Sequence, residues 1–405
     1  MKRGELRDYF LGIGAKYLSA VDAEPKKSNQ HEIGVTALMR EQFLGSERRR
    51  FVVRYVWLGQ GSETLTAYDT ATYYDTRENQ PHRRPEWRLY YPANAVTESM
   101  NAGDTLFLGL RKDGALYFIV CPRGSTSEQQ LSWLFGVRAD ESFVSRDVRS
   151  GEPELGFAAG FIFDELGIEF EEPYEAELDS LVEGYGTTFP KTAEFSELAR
   201  RSLFDVVSPE EDPDAALLAW LDHEEALFRC LERRVVADRI ERGFVRESGV
   251  DVDGFLGFSL SVQNRRKSRM GHSLENHVEA ILVAAKISYV RGAVTEHNHR
   301  PDFLFPDSDA YHAAPAGGSA CLAMLGVKST CKERWRQVLA EAEKIPRKHL
   351  LTLEPGISEP QTHQMDASNL QLVVPRAIHA SYTDEQQGWL WSLGEFIRHV
   401  ERAPG

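Results

Sequence analysis

Three neighbouring segments decide the fold, and they read RPDFLFP at 300–306, CLAMLGVKST at 321–330 and RWRQVLAEAEKI at 334–345. The first two are short apolar runs bounded by turn-forming residues, which is typical of buried strands, and the third has apolar residues at helical spacing. The pattern continues with two more strands and a last helix, at 349–353, 370–375 and 388–400. Strands that alternate with helices predict an α/β domain with a central mixed sheet.

Upstream of these segments, the sequence predicts helices. Apolar residues recur at helical spacing through 216–243, and SLENHVEAILVAAKI at 273–287 reads as an amphipathic helix with Ser273 as its N-cap. We therefore predict a C-terminal domain over residues 191–405.

Residues 1–168 predict a different, mostly β domain. Short runs rich in aromatic and β-branched residues are separated by Gly, Asp and Asn turns, which is typical of a barrel or sandwich, with a helix near 4–18. Between the two domains, residues 169–190 are acidic at first and then rich in Gly and Pro, without periodicity. We predict that they form a linker.

Composition limits the class of protein. The chain has 405 residues, of which 42% are hydrophobic and 27% are charged, and it has no apolar run long enough to cross a membrane. The N-terminus lacks the apolar region of a signal peptide, and the four cysteines form no C-x-x-C pair, so we expect a reduced, cytoplasmic protein in a bacterial or archaeal cell. The net charge of −15 disfavours nucleic-acid binding, yet basic residues cluster at 47–54, 82–88 and 264–269.

Three residues could carry phosphodiester chemistry, which needs carboxylates that hold a metal and often a lysine beside the attacking water. Asp302 opens one predicted strand, Lys328 ends the next, and Glu341 borders the apolar face of the following helix. A Pro-Asp pair before a strand and a lysine at the end of the next strand resemble the PD-(D/E)XK nucleases, but Gly326 stands where their second carboxylate is expected. The alternative is that Asp302 is a turn residue and Lys328 a solvated strand end.

The C-terminal half also resembles the EcoRII restriction endonuclease family. The similar segments, in order, are NRRKSRMGHSLENHVE at 264–279, RPDFLFPDSDAYH at 300–312, VKSTCKERWRQVLAEAEKI at 327–345 and LQLVVP at 370–375. In that family the second acidic residue has moved from the strand to the next helix. The resemblance therefore implies that Glu341 replaces the carboxylate missing at Gly326, in a restriction-endonuclease-like domain.

The resemblance implies roles for individual residues. Asp302 and Glu341 would bind Mg²⁺, Lys328 would position the attacking water, and Glu275 would be a further acidic residue of the catalytic site. Without the resemblance, Glu275 reads as a favourable charge in the first turn of a helix. The implied DNA contacts of this domain are Lys332, Glu333, Arg334, Arg265, Arg266, Lys267 and Arg269, although such charge clusters can equally be solvated surface.

The N-terminal domain resembles the effector-binding domain of EcoRII-type enzymes, a β pseudobarrel with a DNA-binding cleft. The similar segments are KYLSAVDAEPKKSNQHEIGV at 16–35 and YYDTRENQPHRRPEWRLYYP at 73–92. The implied DNA contacts are His31, Arg77, Arg83, Arg84 and Arg88, with Lys16 and Trp87 as further candidates. The alternative is a solvated hairpin loop.

Taken together, the resemblance implies a homodimeric type II restriction endonuclease with Mg²⁺ as cofactor. It would cut double-stranded DNA at a CC…GG palindrome, with CCWGG as the favoured site. It would be functionally paired with a DNA methyltransferase. A second copy of the site, bound by the N-terminal domain, would activate cutting (type IIE behaviour). Two alternatives remain, a DNA-binding regulator that does not cut and a nuclease that needs no effector. The adjacent residues His297-Asn298-His299 do not indicate an HNH nuclease, whose residues come from separate positions.

Overall fold

The computed structural model describes residues 4–23, 31–59, 63–80, 82–148, 155–169, 175–246, 249–315, 319, 321–331 and 334–402, without the side chains of residues 175, 246 and 267. The chain forms two compact units. The N-terminal unit comprises Arg3–Phe170 and Pro355–Gln361, and the C-terminal unit comprises Glu171–Glu354, Thr362–Gly405 and Met1–Lys2. A short segment of the region predicted as the C-terminal domain thus belongs to the N-terminal unit.

The N-terminal unit contains a sheet with the strand order β2-β5-β4-β3-β7-β6-β1-β8. Neighbouring strands pair antiparallel, except that β3 and β7 are parallel. The strands are β1 (Phe10–Tyr17), β2 (Glu32–Gly34), β3 (Arg49–Leu58), β4 (Thr64–Asp75), β5 (Trp87–Tyr90), β6 (Thr105–Arg111), β7 (Leu116–Cys121) and β8 (Val144–Asp147). The mostly β character is confirmed, whereas the pseudobarrel stays a prediction.

At β6 and β7 this sheet is buried on both faces. Along β7, Leu116 and Phe118 belong to one apolar cluster and Tyr117 and Ile119 to another, because successive side chains of a strand point to opposite faces. The second cluster includes residues of the two longest helices of the unit. The helical elements are Ala20–Ala23, Ala37–Met39 with a π-turn at Arg40–Leu44, Thr126–Phe135 and Phe157–Leu166.

Two predictions for the N-terminal half were wrong in detail. The helix expected near 4–18 is a 3₁₀ turn at Leu6–Asp8 followed by β1. The predicted linker 169–190 contains the helix Glu175–Val182, which buries Leu178 and Val182 against the helices that follow. This segment is therefore partly a structural element of the C-terminal unit.

The C-terminal unit begins with helices. They are Glu175–Val182, Thr192–Ser202, Pro213–Glu241 and Val252–Ala284, and the last two are joined by the strands β9 (Val245–Arg246) and β10 (Gly249–Val250). Asp212 and Asp251 cap the two long helices, since each carboxylate accepts a backbone N–H of the first turn. Ser273 was predicted as an N-cap but lies inside the helix Val252–Ala284, where its hydroxyl donates to Glu224.

The predicted mixed sheet of the C-terminal unit is confirmed. Its order is β11-β12-β13-β14-β15; β12 pairs antiparallel with β11 and β13, whereas β14 pairs parallel with β13 and β15. The strands are β11 (Val290–Arg291), β12 (Phe303–Phe305), β13 (Ala323–Lys328), β14 (Lys348–Thr352) and β15 (Leu370–Val373). The helices around it are Ser308–Ala313, Trp335–Leu339, Glu359–Ala367, Asp384–Trp389 and Leu393–Glu401, with 3₁₀ turns at Glu296–Asn298 and Arg376–Ser381. None of the described helices is both long and apolar enough to span a membrane.

Candidate active site

The paired strands β12 and β13 bring Asp302 and Lys328 together. Asp302 directly precedes β12 and Lys328 ends β13, and the Lys328 Nζ lies 2.7 Å from the Asp302 Oδ2. The same oxygen accepts the backbone N–H of Val327 at 2.6 Å. Both side chains are mostly shielded from solvent, with 16% of Asp302 and 22% of Lys328 exposed. The carboxylate is thus held in one orientation by a backbone group and a charged side chain of the neighbouring strand.

Gly326 is closely packed where the usual motif would place a carboxylate on β13. A Cβ atom at this position would lie 3.0 Å from a methyl group of Val338, which belongs to the helix Trp335–Leu339. Gly326 and Lys328 are two residues apart and therefore point to the same face of the strand. The helix therefore packs closely against that face at Gly326, so any side chain there would require Val338 to shift.

Glu341 lies close enough to Asp302 and Lys328 for their charges to act on its carboxyl group. It was predicted to lie on the helix but follows its end, because the helix stops at Leu339 and Ala342 takes a left-handed conformation with φ 47°. Of the apolar residues expected to form the buried face of this helix, Val338, Ala342 and Ile345 are buried, whereas Leu339 is half-buried. The turn that follows the helix, and not the helix itself, presents the Glu341 side chain.

One oxygen of the Glu341 carboxylate has no hydrogen-bond partner among the described residues. This oxygen, Oε2, is buried. Burial, together with the negative charge of Asp302, raises the pKa of this carboxyl to about 7, although the positive charges of Lys328 and Lys348 act in the opposite direction. A buried carboxylate of this kind is a natural ligand for a cation.

A divalent cation fits these residues. No group of three or more His, Cys, Asp or Glu side chains suited to a metal occurs within the described ranges. However, Mg²⁺ in phosphoryl-transfer sites is commonly held by one or two carboxylates, with water and substrate phosphate completing the shell. Asp302 and Glu341 would supply those two carboxylates.

Glu275 lies apart from this pair in the hydrogen-bond network. It sits in the helix Val252–Ala284, and its carboxylate accepts from the Arg291 Nη2 at 2.6 Å. Arg291 also binds Glu279 at 2.8 Å. No described contact joins Glu275 to Asp302, so the catalytic role of Glu275 stays a prediction. The alternative, that Glu275 is a charge in the first turn of a helix, was wrong because the helix begins at Val252.

The basic run 265–269 occupies the middle of the same helix, and its members have different environments. Arg269 is 7% exposed and binds the buried Glu224 at 3.1 Å. The prediction that Arg269 contacts DNA was therefore wrong, and Arg269 belongs to a buried ion cluster. Arg266 donates to Glu232 at 2.7 Å. Arg265 is exposed, and its guanidinium lies 4.5 Å from the centre of a phenylalanine ring. The side chain of Lys267 lies outside the described residues.

The second predicted cluster of DNA contacts in this unit, at residues 332–334, is described only in part. Lys332 and Glu333 lie outside the described residues, whereas Arg334 is exposed directly before the helix Trp335–Leu339. In the sequence, Arg334 lies between Lys328 and Glu341. Its role in base recognition stays a prediction.

In the N-terminal unit, Lys16 and Trp87 have structural roles. Lys16 is 9% exposed and its Nζ lies 2.7 Å from Asp22, and the Trp87 ring stacks on Tyr73 with the ring centres 4.6 Å apart. The prediction that Lys16 contacts DNA is corrected for this reason, whereas Trp87 is half-buried and its contact with DNA stays a prediction. His31 is half-buried, and its Nδ1 has no hydrogen-bond partner among the described residues.

The arginines of the predicted effector surface divide into two groups. Arg77 and Arg88 both form ion pairs with Glu86, the latter at 2.7 Å, so their charge is partly compensated. Arg83 and Arg84 lie in the exposed turn before β5. Arg83 donates to the Gln80 side chain at 3.1 Å, and the Arg84 backbone carbonyl accepts from Arg77. Arg83 and Arg84 are therefore the best placed to meet a phosphate backbone.

Lys348 is a residue of the site that sequence reasoning missed. It opens β14, is 5% exposed, and its ammonium donates to the backbone carbonyl of Ala342. Burial lowers its pKa to about 8, although nearby carboxylates including Glu341 oppose this shift. A lysine directly before a buried apolar strand is the one sequence signal that could have identified it, because lysine is seldom fully buried.

Comparison with known proteins confirms the predicted family resemblance for the C-terminal region. Residues 228–397 match the family model described as EcoRII C terminal. The type II restriction enzyme EcoRII of Escherichia coli is 40% identical over 206 residues, which are 51% of this chain and 50% of that enzyme. The match thus spans about half the length of this curated relative.

Two solved structures are similar at low identity. Metal-depleted Ecl18kI in complex with uncleaved, modified DNA has 16% identity and a TM-score of 0.43, over 57% of this chain and 85% of that chain. The restriction endonuclease PspGI–substrate DNA complex has 15% identity and a TM-score of 0.42, over 53% of this chain and 93% of that chain.

Proposed function

From the EcoRII C-terminal match, we propose that this protein is a type II restriction endonuclease that hydrolyses double-stranded DNA with a divalent cation, Mg²⁺ first. The observation that carries the proposal is the Asp302–Lys328 pair, which lies within electrostatic range of Glu341. The buried Oε2 of Glu341 accepts no hydrogen bond from the described residues. The 40% identity to a type II restriction enzyme over this region supports the same reaction class.

The residues of the site would divide the chemistry among them. Asp302 and Glu341 would hold the cation, which when bound neutralises phosphate charge and makes water a better nucleophile. Lys328 would donate from its ammonium to a phosphate oxygen or to the attacking water. Asp302, fixed by the Val327 N–H, would keep the ammonium in place until the substrate arrives. The turn at Ala342 would hold the Glu341 carboxylate in the site.

We further propose a CC…GG palindrome as target, with CCWGG as the first choice. A homodimer would place one active site on each strand of a palindrome, because two-fold DNA is best matched by a two-fold protein. In the cell, a DNA methyltransferase would protect the same sites. Activation by a second site copy at the N-terminal unit is supported by the exposed Arg83 and Arg84.

One observation favours the alternative of a nuclease that needs no effector. Lys16 is buried in an ion pair with Asp22, and Arg77 and Arg88 are already ion-paired. The charge available for effector DNA is therefore smaller than the sequence suggested. Nothing comparable favours a regulator that does not cut, because a pure binding scaffold has no need of Lys328 or Glu341.

The direct test is cleavage of a plasmid that carries several CCWGG sites. We expect discrete fragments from the wild type with Mg²⁺, a rate lower by about 100-fold or more for Lys328→Ala, and wild-type fragments for the control Lys191→Ala, which removes an exposed lysine. Sequencing the ends identifies the site. If the wild type binds CCWGG duplexes but never cuts them, the nuclease proposal is wrong and the regulator is favoured.

A further inference from the structure

The turn that carries Glu341 has an unusual centre. Ala342 is fully buried and left-handed, with φ 47°. Residues with a side chain seldom adopt this conformation unless surrounding groups impose it. Because Ala342 directly follows Glu341, whatever fixes the Ala342 peptide also restrains the backbone from which the Glu341 side chain extends.

Two side chains from other elements bind the peptide groups of Ala342. The Thr295 hydroxyl accepts the Ala342 N–H at 3.4 Å, and the Lys348 ammonium donates to the Ala342 carbonyl. That carbonyl also accepts the Ile345 N–H at 2.9 Å. Both Thr295 and Lys348 are buried, with 7% and 5% of their surfaces exposed, so neither contact has to compete with bulk water.

Thr295 lies in the segment 292–299, which also binds the backbone of Asp302. At its start, the Gly292 N–H donates to the Asp302 carbonyl at 3.1 Å, and inside it the Thr295 hydroxyl donates to the His299 carbonyl at 3.2 Å. One short segment therefore binds the backbone at Asp302 and the residue beside Glu341.

We infer that Thr295 and Lys348 are positioning residues that set the spacing between the Asp302 and Glu341 carboxylates. The inference rests on the proposed function, in which these two carboxylates hold the cation. Neither residue touches the cation or the substrate. Their hydrogen bonds preorganise the ligand pair, so that binding the cation does not have to order the Glu341 turn.

The test is Mn²⁺ binding to the full-length protein without DNA, measured by electron paramagnetic resonance of the free ion. Thr295→Val keeps the shape but removes the hydroxyl, and we expect it to weaken Mn²⁺ binding about 10-fold or more. Thr295→Ser restores the hydroxyl and should bind within about twofold of the wild type. The control Thr362→Val removes a buried hydroxyl that accepts from Gln386 at 2.9 Å, and it should leave Mn²⁺ affinity unchanged.

A second variant guards against misfolding at Thr295. Lys348→Met keeps the aliphatic stem, lacks the donor, and should weaken Mn²⁺ binding in the same direction. Wild-type affinity in both variants would overturn the inference, and so would an equal loss in Thr362→Val, which would indicate general softening of the fold.

Plasmid cleavage separates this inference from the proposed function. If the wild type cuts and Thr295→Val needs about 10-fold more Mg²⁺ for half-maximal cutting, the proposed function and the inference are both supported. If the wild type cuts and the variant needs no more Mg²⁺, only the inference is wrong. If the wild type cuts no DNA while Thr295→Val still loses Mn²⁺ affinity, only the function is wrong. A wild type that binds no Mn²⁺ overturns both.

Discussion

At the scale of single residues, the charge of Glu341 destabilises the metal-free protein. Its carboxyl pKa is raised to about 7 by burial and by Asp302, so the ionised form at pH 8 is disfavoured in the folded state. We expect Glu341→Gln in EDTA at pH 8 to raise the Tm by about 2–4 °C. Added Mg²⁺ should raise the Tm of the wild type but not that of the variant. Thermal unfolding followed by fluorescence measures both.

The matched control for this prediction is Glu343→Gln. Glu343 lies two residues further along, with 54% of its side chain exposed. Removal of an exposed charge should leave both the metal-free Tm and the Mg²⁺ effect unchanged. If Mg²⁺ stabilised Glu341→Gln as much as the wild type, the cation would bind elsewhere.

Some residues of the site could be predicted from sequence and others could not. Asp302 and Lys328 were found because a strand start and a strand end in neighbouring elements place them together. Arg269 was misassigned because its partner Glu224 lies 45 residues away, and no local pattern reveals such a pairing. Lys348 was missed because its contact is a backbone carbonyl, so the only signal in the sequence is a lysine at the start of an apolar strand.

At the scale of elements, strand β14 makes the C-terminal unit sensitive to acid. His349 is buried among aromatic rings, and burial, with the positive charges of His399 and Arg347, lowers its pKa to about 3. In the unfolded chain His349 becomes protonated near pH 6.5, whereas in the folded protein it stays neutral at that pH. The free energy of unfolding therefore falls as the pH falls below 6.5. At pH 5.5 this costs about 1.4 kcal/mol relative to neutral pH.

We expect His349→Phe to remove this pH dependence, because phenylalanine fills a similar space and does not titrate. Urea unfolding at pH 7.5 and 5.5 should show a loss of stability smaller by about 1.4 kcal/mol in the variant than in the wild type. The same change at His363, with 64% of its side chain exposed, should not alter the pH dependence. An undiminished loss in His349→Phe would assign the acid sensitivity to other groups.

Elements were predictable where periodicity was long and uninterrupted. The helix Pro213–Glu241 and the strands of the mixed sheet follow the apolar pattern closely. The helix expected at 334–345 stops at Leu339, since buried hydrogen bonds from Thr295 and Lys348 favour a left-handed turn at Ala342 over another helical turn. Near residue 10 the apolar spacing fitted a helix, but pairing with β6 and β8 makes the segment a strand. Tertiary contacts decide such cases.

At the scale of the whole molecule, the two units divide the charge unevenly along the chain. The net charge is −15, yet the exposed turn before β5 carries Arg83 and Arg84. Composition predicted two units but not their exact membership, because Pro355–Gln361 joins the N-terminal unit from a distant part of the sequence. Net charge sets long-range behaviour, whereas DNA affinity depends on local clusters of this kind.

The effector model makes a prediction for the whole chain. A duplex that carries CCWGG, titrated into the cleavage of a single-site plasmid, should first accelerate cutting and then inhibit it by competition at high concentration. Arg84→Ala should reduce the stimulation, because it removes a positive charge from the exposed turn. Arg138→Ala removes an exposed arginine outside the predicted effector surface and should be stimulated like the wild type.

A scrambled duplex of equal length tests whether stimulation requires the site, since phosphate contacts alone would respond to any sequence. Stimulation by the scrambled duplex would mean that the N-terminal unit reads backbone charge and not the site. If the wild type cuts at the same rate with and without CCWGG duplex, the chain is a nuclease that needs no effector. In that case the ion pairs of Arg77 and Arg88 with Glu86 stabilise the sheet, and these arginines do not form a binding surface for effector DNA.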